Sequence, residues 1–287
     1  MKLGLKRRLV GGTILLLSLP LVATWAAEKP SSFESKLKNV QLCNGADRSS
    51  PQRQIDGCSA LIDAGHETPR LLAIAYNNRG NAYTENGEFD RAIADYDEAI
   101  KLIPTYAKPF NNRGLAYQKK GEYDRAIKEF DEAIRLTPDY GNAYANRAAA
   151  YQNKNDYQRA AQDYDAAIRL EPNLAAAWNG RCWVRTILGR LKDALADCDK
   201  AIALQPSDAG TYDSRGLAHL KMGEFNSAIQ DYGTALRLEP KLATALYGRG
   251  LAKLKKGDAS SGNIDLAAAK AIKATIADDF ARYGVKL

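Results

Sequence analysis

Residues 107–140 read AKPFNNRGLAYQKKGEYDRAIKEFDEAIRLTPDY, and a shift of 34 residues in either direction lands on a copy of the same text. Upstream stands AIAYNNRGNAYTENGEFDRAIADYDEAIKLIPTY, residues 73–106, and further copies begin at Gly141, Ala175, Ala209 and Ala243 without insertions. The copies make six repeats, 73–106, 107–140, 141–174, 175–208, 209–242 and 243–274, about 70% of the chain. A fixed period of this length means one supersecondary unit stacked on itself.

Positions 1 to 34 are numbered within each copy. Position 4 is large: Tyr76, Phe110, Tyr144, Trp178, Tyr212, then Leu246. Position 8 is small (Gly80, Gly114, Ala148, Cys182, Gly216, Gly250), and so is position 20 (Ala92, Ala126, Ala160, Ala194, Ala228, Gly262). Position 24 is Tyr96, Phe130, Tyr164, Cys198, Tyr232 and Leu266, and position 27 is alanine in all six copies. Positions 4, 8 and 11 share one face of a first helix; 20, 24 and 27 share one face of a second. Small residues let the two backbones approach, and the large ones fill the remaining volume. A glycine at position 15 (Gly87, Gly121, Gly189, Gly223, Gly257) breaks the chain between them. Proline at position 32 (Pro104, Pro138, Pro172, Pro206, Pro240) stops the second helix, because its ring blocks the hydrogen-bond ladder.

This pattern resembles the tetratricopeptide repeat. The resemblance implies an all-α, right-handed superhelical solenoid of antiparallel helix pairs, in which neighbouring pairs bury a continuous core. Residues 33–65 read as a degenerate amino-terminal repeat within a segment 27–72, and residues 275–287 as a carboxy-terminal cap. The sixth repeat departs from the pattern, with Lys253 at position 11, Gly262 at position 20 and no proline at position 32.

Residues 1–26 have the order of a secretory signal peptide: Lys2, Lys6, Arg7 and Arg8, an apolar run from Leu9 to Trp25, then small residues. Cleavage is expected after Ala26; an uncleaved anchor is the alternative, although seventeen apolar residues barely span a bilayer. The formal charge of +7 falls to +3 without those four basic groups. Mixed charges on the repeats give no basic stripe for nucleic acid. A membrane partner is expected only through an uncleaved export signal. The expected localisation is exported and periplasmic.

An exported chain with four cysteines permits two disulfides. Cys182 and Cys198 replace the small residue and the aromatic at positions 8 and 24 of the same repeat, 16 apart; Cys43 and Cys58 are 15 apart. Four buried free thiols acting as small hydrophobes are the alternative. No CxxC pair points to zinc or redox catalysis.

In the resembled family, positions 2, 5, 6, 9, 12 and 13 line the concave face. Here the first three repeats place Asn77, Asn78, Asn81, Asn111, Asn112, Asn142 and Asn146 there, with Asn78, Asn112 and Asn146 forming a ladder at position 6. Stacked asparagines offer donors and acceptors to the backbone of an extended peptide; a solvated filler is the plainer reading. Of the carboxylate clamp that some family members use, only the asparagines Asn81 and Asn112 are present. Its basic positions are Asn77, Asn142 and Asn146, so no such clamp is expected. Downstream the face turns apolar, with Trp183, Ile187, Leu217, Leu220, Tyr247, Leu251 and Leu254 either packing between repeats or receiving an apolar anchor.

Position 7 is arginine and position 23 acidic in all six copies, which reads as an ion pair between the helices of a repeat. Catalysis finds little support. There are two histidines, His66 and His219; the latter holds position 11 and reads as packing. No metal cluster, catalytic triad order or phosphate loop emerges, and no cofactor is expected. The reading is a non-catalytic adaptor that binds a protein or peptide in its concave groove. It resembles exported tetratricopeptide proteins of alphaproteobacteria, some of which serve envelope assembly. Self-association into oligomers is the alternative of another class, and an enzyme a remote one.

Two intrachain disulfides, Cys43–Cys58 and Cys182–Cys198, are expected in protein purified from an oxidising compartment. Each closes a short loop and contributes about 3 kcal/mol in the chain-entropy model. Intact mass after alkylation, with and without reductant, checks this: four freely alkylated thiols would contradict it.

Overall fold

The computed structural model describes residues 32–45 and 50–285. The expected export signal with its cleavage site at Ala26, and the last two residues of the expected cap, lie outside them. Among the described residues the secondary structure is helical throughout. Helices α1 (Ser32–Cys43) and α2 (Pro51–Asp63) form a first pair. Six pairs follow: α3 (Pro69–Glu85) with α4 (Phe89–Leu102), α5 (Ala107–Lys119) with α6 (Tyr123–Leu136), and α7 (Gly141–Asn153) with α8 (Tyr157–Leu170). Then come α9 (Ala175–Ile187) with α10 (Leu191–Leu204), α11 (Ala209–Met222) with α12 (Phe225–Leu238), and α13 (Ala243–Lys255) with α14 (Ala259–Ile272). A short α15, Ile276–Arg282, closes the chain. No helix of the described residues is long and apolar enough to cross a membrane.

Each pair closes through the small-against-large contact that the sequence encodes. A β-carbon added at Gly80 would stand 2.6 Å from the Tyr96 ring, and one at Gly114 would stand 2.6 Å from Phe130. The turn between helices needs a left-handed residue. Gly87, Gly121, Gly189, Gly223 and Gly257 supply it with φ from 78 to 90°. The third repeat uses Asn155 instead, at φ 61°; asparagine tolerates this region best after glycine.

Stacking is asymmetric. First helices of neighbouring repeats lie close together, as α9 with α11 and α11 with α13, whereas the Cα atoms of second helices of neighbouring repeats stay more than 8 Å apart. The row of first helices therefore lies on the inside of the curve, and it forms the concave face.

The four cysteines pair as Cys43–Cys58 and Cys182–Cys198, with Cα atoms 4.5 and 5.4 Å apart. In the fourth repeat the disulfide stands where other repeats press a small residue against a ring. All four sulfurs belong to buried side chains.

The position 7 arginines tie the stack together. In five of the six repeats the pair is a two-pronged fork, with Nε and Nη2 each donating to one oxygen of the acid; the Arg147–Asp163 bonds are both 2.7 Å. Arg113 instead gives both donors to Glu129 Oε2, at 3.0 and 2.6 Å. Burial pushes the Glu129 carboxyl up, against the pull of Arg113.

A third arm was not expected. Nη1 reaches back to an aspartate at position 25 of the preceding repeat: Arg113 to Asp97, Arg147 to Asp131 (2.6 Å), Arg181 to Asp165 (2.6 Å) and Arg215 to Asp199 (2.7 Å). At the amino-terminal end Arg79 Nη1 finds Ser59 Oγ of α2 at 3.0 Å. At the other end the preceding position 25 is Gly233, and Lys253 joins Arg249 on Asp265 at 2.8 Å. Arg185 likewise shares Asp197 with Arg181, at 2.7 Å. His219, read from sequence as packing, instead contacts Glu224 at 2.6 Å and Asp231 at 3.6 Å. Position 11 in repeats four to six is thus a second base for the position 23 acid, not an apolar core position.

Arg113→Ala strands Glu129 and the more exposed Asp97 together. With Arg113 and Glu129 side chains each 16% exposed, the cost should be about 2–4 kcal/mol, at or below that of breaking a fully buried pair. Replacing both partners, Arg113→Met with Glu129→Leu, should recover most of it. Thermal melts compare the two, and a single variant that melts like the parent would show the triad to be inconsequential.

Candidate functional site

The asparagine face of repeats one to three is bonded to itself. Asn112 Nδ2 donates to Asn77 Oδ1 at 3.0 Å and to Asn81 Oδ1 at 2.9 Å. Asn146 Nδ2 donates to Asn111 Oδ1 at 2.9 Å, and Asn78 Nδ2 to Asn44 Oδ1, just beyond α1, at 3.3 Å. Within a repeat, Asn77 and Asn111 each pass a donor to the neighbouring Asn78 and Asn112, at 3.2 and 3.1 Å. The rule is simple: the position 6 amide of one repeat donates back to the position 5 carbonyl of the repeat before. Asn77 and Asn111 are buried at 3 and 4% exposure. Asn81 also accepts from the Tyr96 hydroxyl at 2.9 Å, and Asn142 is held by Glu171 at 2.8 Å.

This revises the expectation that the ladder points freely into the groove. Its amides cross-link successive first helices, and the partner-binding role assigned to Asn77 and Asn111 does not fit buried, internally satisfied side chains. Asn78, Asn112 and Asn146 keep partial exposure.

The apolar half of the groove also has an occupant. Helix α15 and the residues after it turn onto the concave face. Phe280 packs on Tyr247 with ring centroids 4.8 Å apart, and Tyr283 meets Trp183 edge-on at 5.3 Å. Tyr157 meets Trp183 from another side at 5.7 Å. Lys221 Nζ donates to the Tyr283 carbonyl at 2.8 Å. Leu217, Leu220, Tyr247, Leu251, Ile276 and Phe280 form one buried cluster, with Trp183, Ile187 and Leu254 packed at its margin. The anchor site expected around Trp183 and Ile187 is therefore filled, in part, by this chain's own end.

Between these halves, at repeats three to five, lies a cavity of about 570 Å³. It is lined by Asn179, Gly180, Trp183, Gln205, Asp208 and Asp213 among others. Thr244 Oγ1 donates to Asp213 Oδ2 at 2.7 Å. Burial raises the Asp213 carboxyl to about 7; that Thr244 bond opposes the shift and Glu239 adds to it. Among the described residues no group of three or more His, Cys, Asp or Glu is placed to hold a metal ion.

A model described as TPR repeat matches residues 80–121, 119–155 and 216–257, and one described as Tetratricopeptide repeat matches residues 146–209. Together they cover well over half of the chain. A tetratricopeptide repeat protein from Parabacteroides merdae is similar over 88% of this chain and 99% of its own, at 18% identity and a TM-score of 0.65. A chain of the APC/C hetero-tetramer Cut9–Hcn1 is similar over 86% of this chain and 52% of its own, at 16% identity and a TM-score of 0.70. PilF of Pseudomonas aeruginosa matches 73% of this chain and 96% of its own, at 16% identity and a TM-score of 0.62. No curated protein matches the sequence.

Two outcomes follow from the geometry. Asn112→Ala removes the donor shared by Asn77 and Asn81 and should cost about 1–3 kcal/mol, read as a lower melting temperature; an unchanged melt would return the ladder to a purely surface role. Asp213 behaves oppositely. A carboxyl raised by burial contributes its full stability below its unfolded value of about 3.9 and loses it as pH rises through about 7. Asp213→Asn should therefore raise the melting temperature at pH 8 and leave it nearly unchanged at pH 4.5.

Proposed function

The chain belongs to the tetratricopeptide repeat family, and from that premise we propose that it is a non-catalytic adaptor that holds an extended segment of a protein partner along its concave face. The observation that carries this is the continuous row of first helices, whose polar, partly exposed face over repeats one to three leads to the cavity beside Trp183. Such a face suits a peptide backbone, which needs donors and acceptors along its length. The filled apolar half supports a reading in which the segment lies along the amino-terminal repeats as far as the cavity.

The compartment belongs to the same proposal. Two buried disulfides persist in oxidising surroundings. Together with the order of residues 1–26, they support export to the periplasm. Service in envelope assembly is the role proposed with it.

Site-specific photo-crosslinking tests the face used. Lys119, at the end of α5, and Lys128, on α6, are both exposed, and only the first belongs to a concave helix. A photoreactive residue at 119 should give a discrete adduct in cells, and one at 128 should not. An adduct of twice the chain's own mass would favour self-association instead, and equal labelling from both positions would overturn the groove reading.

A further inference from the structure

The ladder of the first three repeats shows what a position 5 acceptor is built to receive. Asn77 Oδ1 and Asn111 Oδ1 each accept from the position 6 asparagine of the following repeat, at 3.0 and 2.9 Å. Repeat four carries Asn179 at position 5 and repeat five carries Asp213, but the residues that should donate to them are Ser214 and Gly248. Ser214 gives its hydroxyl to the Gly210 carbonyl of its own helix at 2.9 Å, and Gly248 has no side chain to give. Asn179 Oδ1 and Asp213 Oδ1 are consequently buried without a hydrogen-bond partner. Buried acceptors left in this way are uncommon in folded proteins, because each loses its bond to water and gains nothing in return.

Both residues line the cavity between repeats three and five. Asn179 Nδ2 stands 3.5 Å from Asp208 Oδ2, so its carbonyl oxygen is the end left over. Asp208 is itself fixed as the cap of α11, accepting from Thr211 N at 2.9 Å, and adds a second carboxylate to the wall. Among the lining residues there are two carboxylates and no lysine or arginine. Trp183 closes one side with an aromatic surface, which favours cations. A metal ion does not fit: Asp208 and Asp213 each give an oxygen to a threonine, and a hard cation wants six or more oxygens.

We propose that this cavity binds a basic side chain, the ammonium of lysine or the guanidinium of arginine, carried by the protein segment in the groove. Both groups are donors only, which suits the two unpaired acceptor oxygens, Asn179 Oδ1 and Asp213 Oδ1. A neutral donor would satisfy Asn179 but could not offset the charge of Asp208 or of ionised Asp213. The proposal rests on the reading of the concave face as a partner-binding surface, and it deepens that reading by naming one residue type in the partner.

The test uses the full mature chain and small probes: the acetylated amides of arginine, lysine and citrulline. Nuclear magnetic resonance of the Asn179 side-chain amide and the emission of Trp183 report binding. Saturable shifts are expected with the arginine and lysine probes, and citrulline should bind at least tenfold more weakly. Asp213→Asn is isosteric and should weaken the arginine probe at least tenfold. Ser214→Asn restores the missing ladder donor, so it should raise the melting temperature while abolishing binding. Citrulline binding as well as arginine, or unchanged binding in folded Asp213→Asn protein, would overturn the proposal. A partner captured at position 119 whose affinity ignores Asp213→Asn would leave the groove reading standing and remove this site alone.

Discussion

A guanidinium has five N–H donors in a fixed plane, and a folded chain that half-buries it must find acceptors in matching places. Four of the six position 7 arginines of the solenoid solve this with two carboxylates, one from their own repeat and one from the repeat before. The bonds from Arg147 to Asp163 and Asp131 show the scheme at 2.7 and 2.6 Å. Three helices must be in register before one such residue is satisfied. The desolvation of these charges offsets much of their attraction, so their contribution is to the angle and spacing of the stack more than to net stability. Where the second acid is missing, at Gly233, Arg249 keeps only Asp265 and shares it with Lys253.

The concave face carries the same logic in neutral form. Asparagines at positions 5 and 6 link successive first helices in repeats one to three, and the link stops at Gly180. Beyond it the acceptors return at Asn179 and Asp213 without their donors. One face is therefore divided into a closed network and an open one. The last stretch is covered by Phe280 and Tyr283, which shield apolar side chains that an ending stack would otherwise expose.

The period of 34 residues, the small and large positions and the paired cysteines were all legible in the chain itself, because each is a local constraint repeated or doubly replaced. So was the bond between positions 7 and 23, since an arginine and an acid recur at that spacing in every copy. The aspartates at position 25 were equally visible in repeats one to four, yet their role depends on which repeat lies behind them. The asparagine ladder was visible too, but its direction was not: a polar residue on a concave position can face water or the next helix.

What the sequence by itself determined is the unit: two helices, where they turn, which faces meet and how many copies follow. Those properties depend on backbone sterics and on side-chain volume at fixed spacing, which a linear text carries. Only the tertiary structure decided how the inner face is used. Stacking brings Asn112 against Asn77 and Asn81, leaves Asp213 Oδ1 in a buried place without a donor, and returns Tyr283 to Trp183 across about a hundred residues of chain. These are relations between repeats, set by the rotation from each pair to the next, and no single copy contains them.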